Sequence, residues 1–201
     1  MPRAYRTRRR PERSTETRAR IMGAVRELLT EGRFHSSTVE EVADRAGISR
    51  ATLYQHFRSR LELVDAMCET FDANPALLTL RGVVELAEAD VSLDETIANT
   101  VQFWSSEDAI LQQLYGVVAI DPAAKDLVDR QYADRRSELE RLARNLRRAG
   151  RLRAGTNERR ALSILLVLTS YETFRELRRA GLSDREVTKT LQEAARSLLL
   201  V

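Results

Sequence analysis

Polar side chains that could bind a nucleic acid are grouped around residue 50. Arg50, Thr52 and Tyr54 follow shortly after Gly47 and Ser49. An arginine can contact a guanine edge or a phosphate, and a threonine hydroxyl can bind a base or touch a thymine methyl group. We therefore expect this segment to contact double-stranded DNA. The candidate contact residues within 38–60 are Thr38, Ser49, Arg50, Ala51, Thr52, Tyr54, Gln55, His56, Arg58 and Arg60.

These candidates have different expected roles. For Arg50, a guanine edge and a phosphate are equally good targets. Thr38 stands where a helix should begin, so its hydroxyl and the nearby N–H groups can hold a phosphate and cap the helix at once. Arg58 and Arg60 flank the start of a later helix and indicate a second phosphate site. Tyr54 suits either a DNA contact or packing.

Two short helices joined near Gly47 must position these side chains. Thr38 and Glu41 have the spacing of a capping box, which predicts the start of a second helix. Ser49 is placed to cap a third helix that runs to about His56. Glycine at position 47 can take the positive φ that a tight turn requires. This is the helix-turn-helix arrangement, in which the second helix of the pair enters a major groove of DNA.

The segment from Thr38 to Arg60 resembles the DNA-binding signature of TetR-family regulators, and the resemblance covers about residues 14–70. The matching residues of the pattern Gly-x-Ser-x-x-Thr-Leu-Tyr-x-x-Phe, with the basic residue that follows it, are Gly47, Ser49, Thr52, Leu53, Tyr54, Phe57 and Arg60. The resemblance implies a sequence-specific transcriptional regulator whose helical body dimerises and often encloses a small-molecule effector. Because most of the family represses, it implies a repressor that the effector releases from a palindromic operator.

The expected fold is all-α, with an N-terminal three-helix helix-turn-helix domain and a C-terminal helical ligand-binding and dimerisation domain. We predict a disordered basic arm over 1–13, the DNA-binding domain over 14–60 and the effector-binding and dimerisation domain over 61–201. The arm either reaches along DNA or has no specific use. Residues 1–60 contain 14 Lys and Arg against 7 Asp and Glu, whereas the whole chain has a net charge of only +3. A basic head of this kind suits a polyanion.

Apolar periodicity and capping residues predict helices throughout the chain. The first is expected over 14–30, and a fourth begins after Ser59. The expected helices of the C-terminal part run over 76–88, 92–105, 106–118, 122–149, 157–180 and 184–200. Ser183 and Glu186 have the spacing of a capping box for the last of them.

The last two predicted helices carry wide apolar faces, which predict that two copies of the chain associate. Packing inside one chain is the alternative. The residues of these faces are Ala161, Leu162, Leu165, Leu166, Leu168, Thr169, Val187, Leu191, Ala194, Ala195 and Leu198. A homodimer would present two helix-turn-helix units to a palindromic operator.

Aromatic side chains with polar tips in the C-terminal part suit a ligand of mixed polarity, although residues at such spacing also build ordinary cores. The candidate effector contacts are Met67, Phe71, Phe103, Trp104, Tyr115, Tyr132 and Tyr171. An effector could act by favouring a dimer geometry in which the two DNA-binding heads no longer fit adjacent grooves.

Enzymatic function is not expected. His35 and His56, the two histidines of the chain, have no metal-ligand spacing around them, and Cys68 lies on an apolar helical face. Neither a metal nor a cofactor is predicted. The chain has no apolar run long enough to span a membrane, so we expect a cytoplasmic protein. A helical module that binds a protein or an acidic membrane through its basic head is the alternative function.

Overall fold

The structure is a computed structural model that describes residues 5–79, 88–120 and 125–201. Its helices are α1 (Tyr5–Thr30), α2 (Val39–Arg45), α3 (Arg50–His56), α4 (Arg60–Thr70), α5 (Ala89–Ile120), α6 (Lys125–Arg148), α7 (Glu158–Leu168), α8 (Tyr171–Arg179) and α9 (Asp184–Leu199). Two 3-10 turns, Phe34–Ser36 and Phe71–Ala73, and a helical stretch over 75–79 lie between them. The described ranges contain no strand, only an isolated antiparallel bridge between Leu152 and Leu200. The predicted all-α class is confirmed.

The chain divides into two compact units. The first is Met1–Phe71 with Ala109–Lys125, and the second is Asp72–Asp108 with Asp126–Val201. The predicted domain boundary after Arg60 differs from this division. The reason is that α4 packs against α1 and buries Leu63, Val64 and Met67, which ties α4 to the helix-turn-helix.

One face of α1 forms the centre of the first unit. Ile21, Val25, Leu28 and Leu29 are fully buried, and their spacing places them on one side of the helix. Helices α2 and α4 pack against α1, and α3 packs against α2. Burying one such side chain stabilises a fold by about 1.5–3 kcal/mol. Helix α1 therefore supports α2 directly and α3 through α2, and these two short helices would be marginal by themselves.

Helices α7 and α9 pack against each other in the second unit. Much of the predicted dimer face is buried in this contact, which agrees with the alternative that the face packs inside one chain. The face residues buried within the unit are Ala161, Leu162, Leu165, Thr169, Val187, Leu191 and Ala195. Leu198 is exposed, while Leu166, Leu168 and Ala194 are half-buried. This remainder of the predicted face stays accessible to a second copy.

The first helix is longer than predicted, since α1 begins at Tyr5 rather than near Ser14. The expectation of a disordered arm over 1–13 is therefore wrong for residues 5–13, while residues 1–4 lie outside the described ranges. Arginine has a high helix propensity, and each residue added to an existing helix gains a backbone hydrogen bond, except Pro11, which has no N–H to donate. Arginine-rich sequence preceding a stable helix can therefore extend it.

The predicted break between residues 105 and 106 is also wrong, because α5 runs without interruption from Ala89 to Ile120. The two serines at this point do not end the helix. Ser106 donates its hydroxyl to the carbonyl of Phe103 at 3.0 Å, within the helix, and Ser105 donates to the carboxylate of Asp184. Serine hydroxyls bonded in this way leave the helical backbone intact.

The predicted helix over 157–180 is two helices, α7 and α8, separated at Thr169 and Ser170. Ser170 caps α8 by accepting a hydrogen bond from the backbone N–H of Thr173 at 3.1 Å. The carbonyls at the end of α7 find side-chain donors. Arg135 donates to the Leu166 carbonyl at 2.7 Å, and the indole N–H of Trp104 donates to the Thr169 carbonyl at 3.0 Å.

Two predicted helices lie partly outside the described ranges. Of the predicted helix over 76–88, residues 76–79 are helical and 80–87 lie outside the described ranges. The predicted helix over 122–149 corresponds to α6, with 121–124 likewise outside. Among the helices that the structure does describe, none combines the length and the apolar character that crossing a membrane would require.

Candidate DNA-binding surface

A tight turn at Gly47 sets the position of α3. Gly47 has φ 60°, a left-handed conformation that residues with a Cβ rarely adopt. The turn is closed by the Gly47 N–H, which donates to the Asp44 carbonyl, and by the Ile48 N–H, which donates to the Ala43 carbonyl, both at 3.0 Å. Arg20 from α1 donates to the Gly47 carbonyl at 2.6 Å. The turn is thus bonded to the helix that forms the centre of the unit.

Ser49 caps α3 and is tied to Thr52. The Thr52 backbone N–H donates to the Ser49 hydroxyl at 3.1 Å, and the two hydroxyls lie 2.8 Å apart. Capping of this type stabilises a helix by about 1 kcal/mol. Leu53 and Phe57 are 1% and 4% exposed and therefore belong to the core. Helix α3 is therefore fixed at its start and along its buried face.

The opposite side of α3 is open to solvent. Arg50, Ala51, Tyr54 and Gln55 are all exposed, and Thr52 is half-buried. His56 is half-buried, and its ring lies 6.5 Å from that of Phe57. The structure therefore gathers most of the predicted contacts on a single accessible surface.

Arg50 lies between an acid and an aromatic ring. Its Nη1 is 2.5 Å from Oε1 of Glu40 on α2, and its Cζ is 5.4 Å from the centre of the Tyr54 ring. A hydrogen bond with the side chain of Tyr54 and the charge of Glu40 raise the pKa of Arg50 above its usual value. The guanidinium is thus fully charged and held by two neighbours.

Thr38 is exposed at the start of α2. Its hydroxyl accepts a hydrogen bond from the Glu41 backbone N–H at 3.1 Å, which confirms the predicted cap. The other half of the predicted capping box does not form, because the Glu41 carboxylate accepts a hydrogen bond from Arg33 at 2.8 Å instead. A phosphate contact by Thr38 remains a prediction.

Arg58 and Arg60, predicted as a pair of phosphate contacts, differ in their surroundings. Arg58 is exposed, whereas the guanidinium of Arg60 turns into the unit. Arg60 Nη1 donates to the buried Ser37 carbonyl at 2.8 Å, and its Cζ lies 4.1 Å from the centre of the Phe34 ring. Its Nη2 is buried without a hydrogen-bond partner in the described structure, and burial lowers the pKa of Arg60. These contacts favour a structural role for Arg60.

Two residues of this surface were missed by sequence reasoning, Arg20 and Glu40. Arg20 lies 27 residues from the glycine whose carbonyl it binds, and the sequence contains no signal for such a contact. Glu40 could have been noticed, because it is an acid at the second position of a helix that should face a polyanion.

The predicted effector contacts fall into separate groups. Phe103, Trp104 and Tyr171 lie together in the second unit, with ring centres 4.9 Å and 5.4 Å apart along the series. The Tyr171 hydroxyl donates to an oxygen of the Asp108 carboxylate at 2.6 Å. Tyr132 belongs to the same unit and is exposed. Met67, Phe71 and Tyr115 belong to the first unit, where Met67 and Phe71 are buried and Tyr115 is exposed.

An open groove of about 330 Å³ lies in the second unit, between α5 and the start of α9. Its lining residues are Ala98, Val101, Gln102, Ser105, Ser106, Asp184, Arg185 and Thr188. It contains none of the predicted effector contacts. Within the ranges that the structure describes, histidine, cysteine and acidic side chains nowhere form a group of three that could hold a metal.

The segment that carries this surface is similar to segments of known proteins. Residues 21–67 match the model of the bacterial regulatory proteins of the tetR family. The chain is 41% identical over 54 residues to the HTH-type transcriptional activator FasR of Mycolicibacterium smegmatis, which is 27% of this chain and 25% of FasR. It is 38% identical over 69 residues to the HTH-type transcriptional regulator UidR of Escherichia coli, which is 34% of this chain and 35% of UidR. The chain thus spans between a quarter and about a third of the length of these curated relatives.

Solved structures resemble the chain over most of its length. A bacterial regulatory protein of the tetR family from Rhodococcus RHA1 has a TM-score of 0.71 at 17% identity, with coverage of 91% of this chain and 96% of that one. SmeT, the repressor of the Stenotrophomonas maltophilia multidrug efflux pump SmeDEF, has a TM-score of 0.71 at 18% identity, with coverage of 92% and 93%. At these identities the likeness concerns the fold.

Proposed function

This chain belongs to the TetR family of bacterial regulatory proteins, and on that premise we propose that it is a sequence-specific, DNA-binding transcriptional regulator. The observation that carries the proposal is the open surface of α3. Arg50, Thr52, Tyr54 and Gln55 supply donors and acceptors on a helix whose start and buried face are fixed. A rigid helix with such side chains can read base edges in a major groove.

The test is selection of bound DNA from a random pool by the purified full-length chain, followed by a salt titration. We expect one enriched sequence, preferred over scrambled DNA by roughly a thousandfold or more. Substitution Thr52→Ala should relax selectivity at one base position, while Arg58→Ala should weaken binding to all sequences alike. Binding without any enriched sequence, lost as salt rises, would reject the proposal and favour a purely electrostatic module.

We propose that the regulator acts as a homodimer on a palindromic operator. The support is the accessible apolar surface of α7 and α9, which includes Leu198 of the predicted face, 48% exposed, and also Val167, 64% exposed. Substitution Leu198→Glu places a charge on this surface without changing the buried contacts of α9. We expect it to convert a dimer to a monomer in sedimentation and to abolish binding to the palindrome. A wild-type chain that sediments as a monomer at all concentrations contradicts this part.

Repression is the mode of regulation that we propose. A dimer bound across a promoter excludes polymerase by occupying the DNA, and it needs no further surface for that purpose. A reporter gene placed behind the selected operator provides the test in a host that lacks the regulator. Expression of the chain should lower the reporter signal, and a rise in the signal would instead identify an activator.

We propose that a small-molecule effector binds the second unit and releases the DNA. The support is the group of Phe103, Trp104 and Tyr171, in which Trp104 is half-buried and packs against the two buried rings beside polar groups. Trp104 is the single tryptophan of the chain, so its fluorescence reports on this group alone. A panel of metabolites and drugs should contain a compound that changes Trp104 emission and weakens operator binding at the same concentrations. Release of DNA by a compound without any change in Trp104 emission would place the effector elsewhere.

A further inference from the structure

The ion pair between Glu40 and Arg50 joins the two helices of the helix-turn-helix at its exposed surface. Glu40 is the second residue of α2, and Arg50 is the first residue of α3. Both side chains are accessible, with 49% and 60% exposure respectively. An acidic side chain at a surface meant for DNA is unfavourable by itself, because it repels phosphates. The position of Glu40 beside Arg50 therefore suggests a function that offsets this repulsion.

A partner carboxylate changes what an arginine can do for DNA binding. A phosphate contact gains its free energy mainly from neutralising the phosphate and releasing counterions. An arginine already paired with Glu40 contributes little net charge to that exchange. Reading a guanine edge depends instead on the direction of two parallel N–H groups toward O6 and N7. For that purpose a neighbour that fixes the guanidinium is useful, since less conformational freedom is lost on binding.

The geometry around Arg50 fits the second task. Glu40 engages Nη1 at 2.5 Å and the side chain of Tyr54 takes a further hydrogen bond, which leaves the other donors of the planar five-donor fork for another acceptor. The Tyr54 ring, one turn further along α3, lies 5.4 Å from Cζ and limits the directions that the side chain can take. Arg50 is at the N-terminal end of the recognition helix, which is the part that contacts base edges in this arrangement.

We infer that Arg50 reads a base edge, with guanine as the matching base, and that Glu40 is the positioning residue that holds it for this task. The inference rests on the proposed function and resolves the choice between guanine and phosphate that the sequence left open. It also predicts that Glu40 lowers affinity for DNA in general while it raises selectivity at one base pair.

The experiment measures binding of the full-length chain to its selected operator and to a set of operators with single base-pair changes, over a series of salt concentrations. The variants are Arg50→Ala, Arg50→Lys, Glu40→Gln and Glu40→Asp. Arg50→Lys keeps the charge but loses the planar fork. Glu69→Gln is the matched control, because Glu69 is another exposed acid of the first unit, paired with Arg18 at 2.9 Å. Circular dichroism melting of each variant establishes that it is folded.

We expect Arg50→Ala and Arg50→Lys to lose discrimination at one base pair by roughly 5- to 150-fold, with the salt slope nearly unchanged. Glu40→Gln should lose part of the discrimination at the same base pair while binding scrambled DNA more tightly. Glu40→Asp, which retains the carboxylate, should recover part of the selectivity. Glu69→Gln should change affinity for all sequences alike.

The opposite result is equally clear. If Arg50 is a phosphate contact, Arg50→Lys will bind nearly as the wild type does, and Arg50→Ala will reduce the salt slope by about 0.9 on every sequence. Glu40→Gln would then raise affinity for all sequences without loss of discrimination. Either pattern overturns the inference while the proposed function stands. If the wild-type chain selects no sequence at all, the proposed function fails first.

Discussion

Replacement of Arg60 by alanine should destabilise the protein rather than remove a phosphate contact. The side chain donates to the Ser37 carbonyl at 2.8 Å and covers the Phe34 ring at 4.1 Å. Ser37 and Phe34 are both buried, with 7% and 1% exposure, so water does not readily replace these contacts. The substitution therefore leaves a buried carbonyl without this donor.

The size of the effect follows from these contacts. A hydrogen bond from a charged donor contributes about 1.5–3 kcal/mol, and a cation–π contact at a partly exposed site adds about 0.5–1 kcal/mol. Loss of the buried, unpartnered Nη2 recovers about 1 kcal/mol of desolvation cost. The net destabilisation is about 2 kcal/mol, or about 4–8 °C in Tm for a chain of this length.

Thermal and urea unfolding measure this change, and salt titration of operator binding measures the electrostatic role. Arg58→Ala is the matched control, since it removes an exposed charge two residues away. We expect Arg60→Ala to lower Tm without changing the salt slope. Arg58→Ala should reduce the salt slope without lowering Tm. An unchanged Tm together with a salt slope reduced by about 0.9 for Arg60→Ala would refute the reasoning.

Three other substitutions test the fold. Gly47→Ala should destabilise the protein by about 1–2 kcal/mol in urea unfolding, because the φ of Gly47 is 60° and a Cβ at this position would meet Arg20 Nη2 at 2.6 Å. An unchanged free energy of unfolding would mean that the turn can rearrange. Leu146→Ala in α6 should cost about 2–5 kcal/mol, since Leu146 is fully buried, and a loss below 1 kcal/mol would contradict its place in the core. Hydrogen bonds from Ser183 lower the pKa of Glu186, so its stabilising effect is present above the unfolded pKa near 4.5 and is lost as pH falls through the lower folded value. The difference in unfolding free energy between wild type and Glu186→Gln should therefore shrink as pH falls from the unfolded pKa through the lower folded pKa. A difference independent of pH would reject the capping role.

Short-range signals predicted much of the first unit. The caps at Thr38, Ser49 and Ser59 each occur as expected, because an N-cap depends on residues only two or three positions apart. The capping box of Ser183 and Glu186 forms completely for the same reason. Burial along α1 also followed from its periodicity.

Contacts between distant residues were beyond such reasoning. The orientation of the Arg60 side chain depends on Phe34 and on the Ser37 carbonyl, which is 23 residues away. No local sequence pattern predicts this orientation. The interruption at Ser170 had a partial signal in the sequence, since a serine cap with an acid such as Glu172 in the first turn is typical of a helix start. Its full cause includes donors from α5 and α6, which only the folded chain brings there.

The end of α7 carries a consequence for local opening of the second unit. Interruptions between helices are usual places for a protease to cut, because their backbone readily leaves the folded surface. Here Arg135 and Trp104, from two other helices, hold the carbonyls of Leu166 and Thr169. Freeing the backbone at 169–170 would require both bonds to break and the neighbouring aromatic rings to lose their packing. Under native conditions this junction should therefore resist cleavage until the whole unit unfolds.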